Sequence, residues 1–161
     1  MDEYRFELAS PRDAAPIAAL SRRLIEDGLP PAWTAERVLC HIKRTDSLVL
    51  TARPQGQEAA PAGFAIMQFG ETQAHLNLLA VETGCQRRGL GRRLVQWLHE
   101  SARVAGTWDL RLELRAGNLG ARRFYESLGY LPGSLIRGYY QGIEDALRMR
   151  CDLRVDRGLT A

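Results

Sequence analysis

Apolar and polar positions alternate from Tyr4 to Leu8 and then recur at helical spacing through Ile17, Leu20, Leu24 and Ile25. This predicts a strand followed by a helix over Asp13 to Glu26. The turn GLPPAW leads to Thr34, a predicted N-cap for a second helix with Val38, Leu39 and Ile42 on its apolar side. SLVLTAR (47–53) and GFAIMQF (63–69) read as strands, joined by the polar loop PQGQEAAPA, which is expected to tolerate change. The second half is more regular. HLNLLAV (75–81) is a predicted strand, ETGCQRR a turn, Gly89 to about Val104 a helix, DLRLELR (109–115) a strand and Leu119 to Leu128 a helix, with two more strands expected after it. In the helix from Gly89, Leu90, Leu94, Trp97, Leu98 and Ser101 are predicted to face the sheet, and Arg92, Arg93, Gln96, Glu100 and Arg103 the solvent. A strand, turn, helix, strand order implies a right-handed crossover and an α/β core, with room for mixed strand directions.

Composition narrows the class. With 161 residues, 45% hydrophobic and 25% charged, and no internal repeat, one globular domain spanning 1–161 is expected. The 22 basic and 19 acidic residues leave a formal charge of +3, too little to argue for nucleic acid. Lys43 is the sole lysine, so the arginine excess reflects either genome composition or function. Cys40, Cys85 and Cys151 are odd in number and form no CxxC, which indicates neither a disulfide framework nor a zinc site. Cys85, beside the basic turn, reads either as an incidental loop residue or as a reactive thiol. The opening MDEYRFELASPRD lacks an apolar signal core, and no run of about 18 apolar residues occurs. The expectation is a cytoplasmic protein with no membrane or nucleic-acid partner and no metal, either monomer or homodimer.

The chemistry concentrates in QRRGLGRRL (86–94), which places four arginines at a helix start. A helix N-terminus already carries about half a positive charge, so each exposed cation there costs about 0.3–1 kcal/mol. An anionic ligand would reverse that sign. The turn is neither a Walker A loop, since Gly89 is followed by Leu90 and Gly91, nor a Rossmann fingerprint, since Leu94 stands where a third glycine belongs. What remains is Q-x-x-G-x-G.

That motif, within LLAVETGCQRRGLGRRLVQWL and followed by LRLELRAGNLGARRFYESLGY and GYYQGIEDALRMRCDL, resembles the acetyl-CoA-binding and neighbouring motifs of the GNAT superfamily of N-acetyltransferases. The LELRAGN and FYESLGY blocks and the tail are most similar to the ribosomal-protein alanine N-acetyltransferases and related N-terminal-amine enzymes. The clear resemblance covers 75–153; the first half fits loosely. The resemblance implies a twisted, mostly antiparallel sheet with a splayed central parallel pair and helices on both faces. It implies acetyl-CoA with its pyrophosphate on the N–H groups of Arg87, Arg88, Gly89, Leu90, Gly91 and Arg92, with Arg87, Arg88, Arg92 and Arg93 available as cations. Leu79, Ala80 and Val81 would border the pantetheine arm, one amide there polarising the thioester carbonyl.

The resemblance also assigns Tyr125 as the group that hydrogen-bonds or protonates the departing sulfur. A phenol giving its proton to a thiolate is uphill by about 2 kcal/mol at reference values, which favours hydrogen bonding. Glu113 matches the acid of the N-terminal-amine branch. Arg111 and Arg115 share its strand face and are expected to lower its pKa, leaving either a water-relayed base or a carboxylate simply paired with arginine. Asn118 reads as a coenzyme contact or as a helix N-cap. His75 and Asn77 alternate outward and could face substrate, His75 being an alternative base; His41 and His99 read as helix-surface residues. Tyr139 and Tyr140 match positions that line an acceptor groove, or else pack. An α-amine near pKa 8 is far easier to neutralise than a lysine near 10.4, which must give up roughly 4 kcal/mol at pH 7.5. A protein or peptide N-terminal α-amine is therefore the expected acceptor. A small amine such as an amino acid, polyamine or drug is the enzymatic alternative, and a non-catalytic acyl-CoA sensor the alternative of another class.

Overall fold

The computed structural model describes residues 3–56 and 60–155. Strand β1 (Tyr4–Leu8) is followed by a 3-10 turn over Pro11–Asp13 and helix α1 (Ala14–Leu24). Asp13 reaches back to the backbone and hydroxyl of Ser10, so the predicted start at Asp13 becomes a capped turn before the helix proper. Helix α2 (Ala35–Lys43) begins where expected: the Thr34 hydroxyl accepts from the Arg37 N–H at 3.2 Å, a cap worth about 1 kcal/mol. Strands β2 (Ser47–Pro54), β3 (Gly63–Phe69) and β4 (Gln73–Val81) follow, then helix α3 (Leu90–Val104), strand β5 (Asp109–Arg115), helix α4 (Leu119–Glu126), and strands β6 (Leu131–Tyr140) and β7 (Glu144–Asp152). Of the loop expected to tolerate change, residues 57–59 lie outside the described residues. No helix among the described residues is long and apolar enough to cross a membrane.

All seven strands form one sheet in the order β1-β2-β3-β4-β5-β7-β6, antiparallel everywhere except β4 against β5. This is the mixed sheet with a central parallel pair that the resemblance implied. That pair is short: it runs from Gln73 opposite Asp109 to Leu76 opposite Leu112 and stops. The cause lies in β4, where Leu76 pairs with Met67 and Leu78 with Ile66, leaving Asn77 as an extra residue, a β-bulge. A bulge bends its strand, and beyond it β4 and β5 diverge with their facing backbone groups unpaired. It also sends Leu76 and Leu78 to opposite layers, while His75 and Asn77 both stay half-buried and line one cavity.

Two apolar layers hold the sheet. On one face Ile17, Leu20 and Val38 of α1 and α2 pack on Val49, Phe64, Ile66, Leu78 and Ala80. On the other, Leu90, Leu94, Leu98 and Tyr125 of α3 and α4 pack on Leu50, Met67, Leu76, Leu110, Leu112 and Met149. The buried arc of α3 is turned from the predicted one: Val95, His99 and Ala102 are inside, whereas Trp97 is 37% exposed. His99 is not a surface residue. Its Nε2 meets the hydroxyl of fully buried Tyr130 at 2.9 Å, which offsets the burial of the ring, and burial drives its pKa down to about 4. His41 is likewise buried, with Nδ1 at 2.8 Å from the Ser47 hydroxyl and its ring beside Trp33.

Candidate active site

The divergence of β4 and β5 opens the sheet, and two cavities meet there. The first, of about 720 Å³, is lined by Leu79, Ala80, Val81, Gln86, Arg87, Gly89, Leu90, Gly91 and Arg92, and by Asn118, Phe124 and Tyr125 from α4 and its approach. The bond from the Glu82 N–H to the Ala62 carbonyl, at 2.7 Å, fixes the phase of the β3–β4 ladder. Leu79 and Val81 therefore aim their N–H groups away from β3, into the opening. Gln86 Nε2 donates to the Val81 carbonyl at 2.9 Å and ties the following turn to the strand end. This gives the glutamine of the motif a structural task, one that the sequence alone did not disclose, and leaves Val81 its N–H for a ligand.

The turn itself is shaped by positive φ at Arg87 (64°) and at Gly89 (78°), the residue that precedes the helix. Nothing lies within 4 Å of a side chain added at Gly89, so its glycine is explained by backbone conformation. Gly91 is explained differently: a Cβ there would sit 3.2 Å from Phe124 Cζ, so it serves close packing of α3 on α4. Among the described residues, no carbonyl or side chain accepts from the N–H groups of residues 87–92. Six donors are thus free at a helix N-terminus, the arrangement that receives an anion. The arginines divide. Arg87 and Arg92 line the cavity, whereas Arg88 turns toward Glu3 (3.9 Å) and Arg93 lies over the Phe6 ring, 4.6 Å from its centroid. Cys85 packs, partly buried, against the core.

The second cavity, of about 700 Å³, shares Leu24, Ile25, Leu79, Asn118, Ala121 and Tyr125 with the first and extends over His75, Asn77, Glu113, Tyr139 and Tyr140. Its outer wall is the segment between α1 and α2. Glu26, overlooked in the sequence, pins that segment: it is buried, its Oε1 accepts from the N–H groups of Ala32 (2.6 Å) and Trp33 (3.0 Å), and its Oε2 from the Ser21 hydroxyl. Gln141 Nε2, donating to the Pro30 carbonyl at 2.8 Å, holds the same segment from the β6–β7 turn.

Glu113 is the polar centre of this cavity. Its Oε1 accepts from His75 Nε2 and from the Tyr139 hydroxyl, each at 2.8 Å, and its Oε2 faces Arg148 Nε at 3.5 Å. Burial alone would raise its pKa, but His75, Tyr139 and Arg148 together hold it down at about 2. The expected direction is right, but the main agents differ from the expected ones. Arg111 bonds Asp109, and Arg115 reaches across to the Ile25 and Asp27 carbonyls and to Glu144, so neither strand neighbour hydrogen-bonds Glu113, and Arg111 acts on it only through charge. Arg148 comes instead from β7, whose register places it opposite Glu113. Tyr139 shows the reciprocal effect: burial and the Glu113 carboxylate push its hydroxyl up to about 12. Tyr140 stacks edge-on against Tyr139 and is also driven upward by burial.

Tyr125 stands where the two cavities join. Its hydroxyl has no partner among the described residues, and burial moves its pKa well above that of a free phenol. Asn118 caps α4, its Oδ1 accepting from the Ala121 N–H at 3.0 Å, and lines both cavities. Among the described residues, no three His, Cys, Asp or Glu side chains converge as a metal site.

The sequence profile of the acetyltransferase (GNAT) family matches residues 19–130. The chain is 44% identical over 91 residues to the [ribosomal protein bS18]-alanine N-acetyltransferase of Salmonella typhimurium, covering 55% of this chain and 62% of that one. It is 32% identical over 83 residues to the N-terminal acetyltransferase B complex catalytic subunit NAA20 of Arabidopsis thaliana, covering 51% of this chain and 48% of the other. These alignments span less than two thirds of the relatives they match. In structure, the crystallised ribosomal-protein-S18-alanine N-acetyltransferase of Escherichia coli superposes with a TM-score of 0.79 at 28% identity, over 98% of this chain and 99% of that chain.

Proposed function

This chain belongs to the GNAT acetyltransferase family, and on that footing we propose that it transfers the acetyl group of acetyl-CoA to the α-amine of a protein or peptide N-terminus. The observation that carries the proposal is the junction of the two cavities: six free N–H groups at one end, the Glu113 cluster at the other, and Tyr125 between. The residues fit the coenzyme. The N–H groups of 87–92, with Arg87 and Arg92, would hold its pyrophosphate, charge-assisted bonds being about twice as strong as neutral ones. Leu79 and Val81 would offer the pantetheine arm the unpaired edge of β4, and one of their N–H groups would be available to a thioester oxygen as it gathers charge.

At the acceptor side, the Glu113 cluster receives a proton from the incoming ammonium. The freed amine attacks the thioester carbon, the C–N bond forms, and the C–S bond breaks with its electron pair on sulfur. Tyr125 holds that sulfur by a hydrogen bond. Its raised pKa makes outright loss of the phenolic proton costlier than the roughly 2 kcal/mol of reference values, so the sulfur takes the second amine proton and leaves as the free thiol. Similarity to the S18-alanine N-acetyltransferases, named for a ribosomal-protein acceptor, and to NAA20, named as an N-terminal acetyltransferase subunit, supports the α-amine over a small amine. A cytoplasmic location accords with a protein acceptor made there.

The test is an acceptor screen: purified protein, acetyl-CoA, and peptides differing in their first residue beside a panel of amino acids, polyamines and aminoglycosides, with free thiol as readout. Thiol release with one or more peptides, and acetyl on their α-nitrogen by mass spectrometry, is expected. Release only with small amines would replace the substrate class, and binding of acetyl-CoA without turnover on any acceptor would favour a sensor.

A further inference from the structure

The proton acceptor can be assigned more closely, given the acetyltransferase reading above. A base needs a lone pair within reach of the amine or of one intervening water. Glu113 offers little: its side chain is only 6% exposed, and its oxygens are covered by His75, Tyr139 and Arg148. His75, at 37% side-chain exposure, is the more open member of the His75–Glu113 pair, and it lines the cavity together with Glu113 and the phenol Tyr139.

Hydrogen-bond bookkeeping sharpens this. A carboxylate only accepts, so Nε2, at 2.8 Å from Glu113, carries a hydrogen. On the other side of the ring Nδ1 faces the Asn77 side-chain oxygen, which also only accepts. Both nitrogens therefore donate, and the arrangement seen is that of an imidazolium. Turning the Asn77 amide over presents its NH₂ to Nδ1 and matches the neutral ring equally well. The cluster thus has two satisfied states that differ by one proton on Nδ1, with Glu113 ionised in both. Residues two apart on a strand share one face, which sets the His75 and Asn77 side chains side by side.

We propose that His75, oriented by Glu113, is the group that takes the proton from the acceptor ammonium, at Nδ1, and that Asn77 turns its amide to suit each state. Glu113 is then a positioning residue that fixes the tautomer. As the Asn77 amide turns off Nδ1, the freed lone pair takes one proton from the ammonium, directly or through one water; the amine forms the C–N bond as the C–S bond breaks, its second proton going to the sulfur. The imidazolium then returns its proton to solvent, leaving amide, thiol and the starting ring. Facing His75 are Gln68 from β3, Asn77 from β4, Glu113 from β5, Tyr139 from β6 and Arg148 from β7, while Arg111, its partner in β5, is occupied by Asp109. Burial would lower the imidazole pKa, yet Glu113 and Asn77 outweigh it and the shift is upward.

Chemical rescue tests the assignment. His75→Ala should lower kcat on the best N-terminal peptide at least about 100-fold, in line with general-base contributions, with acetyl-CoA affinity unchanged. Added imidazole should restore at least about tenfold, with substituted imidazoles ranked by basicity. Glu113→Ala should lose activity without recovering it in acetate or formate. Turnover of His75→Ala within about twofold of the unmodified protein, or rescue of Glu113→Ala by small carboxylates, would overturn the assignment. Nitrogen NMR of His75 provides a readout independent of turnover: hydrogen on Nε2 in the neutral ring, and a pKa above 6.5 that falls in Glu113→Gln. Hydrogen on Nδ1 in the neutral ring would refute the pairing even in a fully active enzyme. A protein inert on every acceptor but showing the expected NMR signature would sink the acetyltransferase reading and leave the His75–Glu113 pair standing.

Discussion

The two ends of the channel are built from different materials. The donor end is almost entirely backbone: six N–H groups from one contiguous turn, shaped by Gly89 and tied down by Gln86. The acceptor end is almost entirely side chain, drawn from β4, β5, β6 and β7 and from the segment after α1. A backbone site depends on conformation and resists substitution of its side chains. A side-chain site depends on each member keeping its partners. The donor end should therefore break at a glycine and forgive an arginine, whereas the acceptor end should break at any member of the Glu113 cluster.

The largest expected effect is on turnover. Glu113→Gln keeps the shape, and its oxygen can still accept from His75 and Tyr139, but it removes the negative charge that holds the imidazolium and sets an NH₂ donor against the Arg148 guanidinium. A loss of about 100-fold or more in kcat is expected, with acetyl-CoA affinity within about twofold by calorimetry. Equal losses in both would mean that the ends are not separable. Next comes Gly89→Val, the mirror-image case. A β-branched residue at φ 78° is strongly disfavoured, so the turn must re-form and its donors scatter. Coenzyme affinity should fall on the order of 100-fold, because the anion site is the turn itself; retained affinity would show that the N–H cradle is not the site.

Tyr125 sits where the ends meet and should respond less. Removing its hydroxyl should slow turnover about tenfold, the scale of one hydrogen bond to a developing charge, and change coenzyme affinity little. A much larger loss, with a pH profile moved at its alkaline limb, would restore the phenol as a proton donor. Smaller again is Gln86→Ala, which frees the turn from the Val81 carbonyl at a cost of about 1 kcal/mol, or roughly fivefold in acetyl-CoA affinity. An unchanged affinity would indicate that the turn is held by its own dihedrals alone.

The contrast also explains what the sequence could disclose. The fold was legible because its elements carry local signals: strict alternation in DLRLELR, the Thr34 cap, and glycine before Leu90. The donor end was legible for the same reason, since residues 86–92 are contiguous and their task follows from their own backbone. The acceptor end was legible only in part. Glu113, Tyr125, His75, Asn77 and Tyr139 could be nominated singly, but their partnerships are set by register. Arg111 and Arg115, two residues away along the strand, looked like the neighbours of Glu113, and it is Arg148, thirty-five residues on, that approaches it. The i, i+2 spacing put His75 and Asn77 on one side, but the bulge at Asn77, which has no sequence signature apparent in this chain, could not be foreseen. His99 was misread because the buried hydroxyl that receives it belongs to Tyr130, thirty-one residues distant.

The finest distinction lies within the donor end, between arginines that sequence treats alike. Arg88 and Arg92 are four apart and equally close to the glycines, yet Arg92 lines the cavity while Arg88 is directed to Glu3 at the surface. If the backbone carries most of the anion binding, Arg92→Ala should weaken acetyl-CoA by only a few-fold, since a partly exposed cation beside a phosphate contributes on the order of 1 kcal/mol. Arg88→Ala should stay within about twofold, because it removes only a long-range charge that salt at physiological strength largely screens. Raising the salt concentration should shrink the Arg92 effect and leave the glycine effect intact, because conformation is not screened. If both alanine variants instead lost affinity equally, and both losses vanished in high salt, the turn would be acting as a diffuse cationic patch and the N–H cradle would be secondary to it.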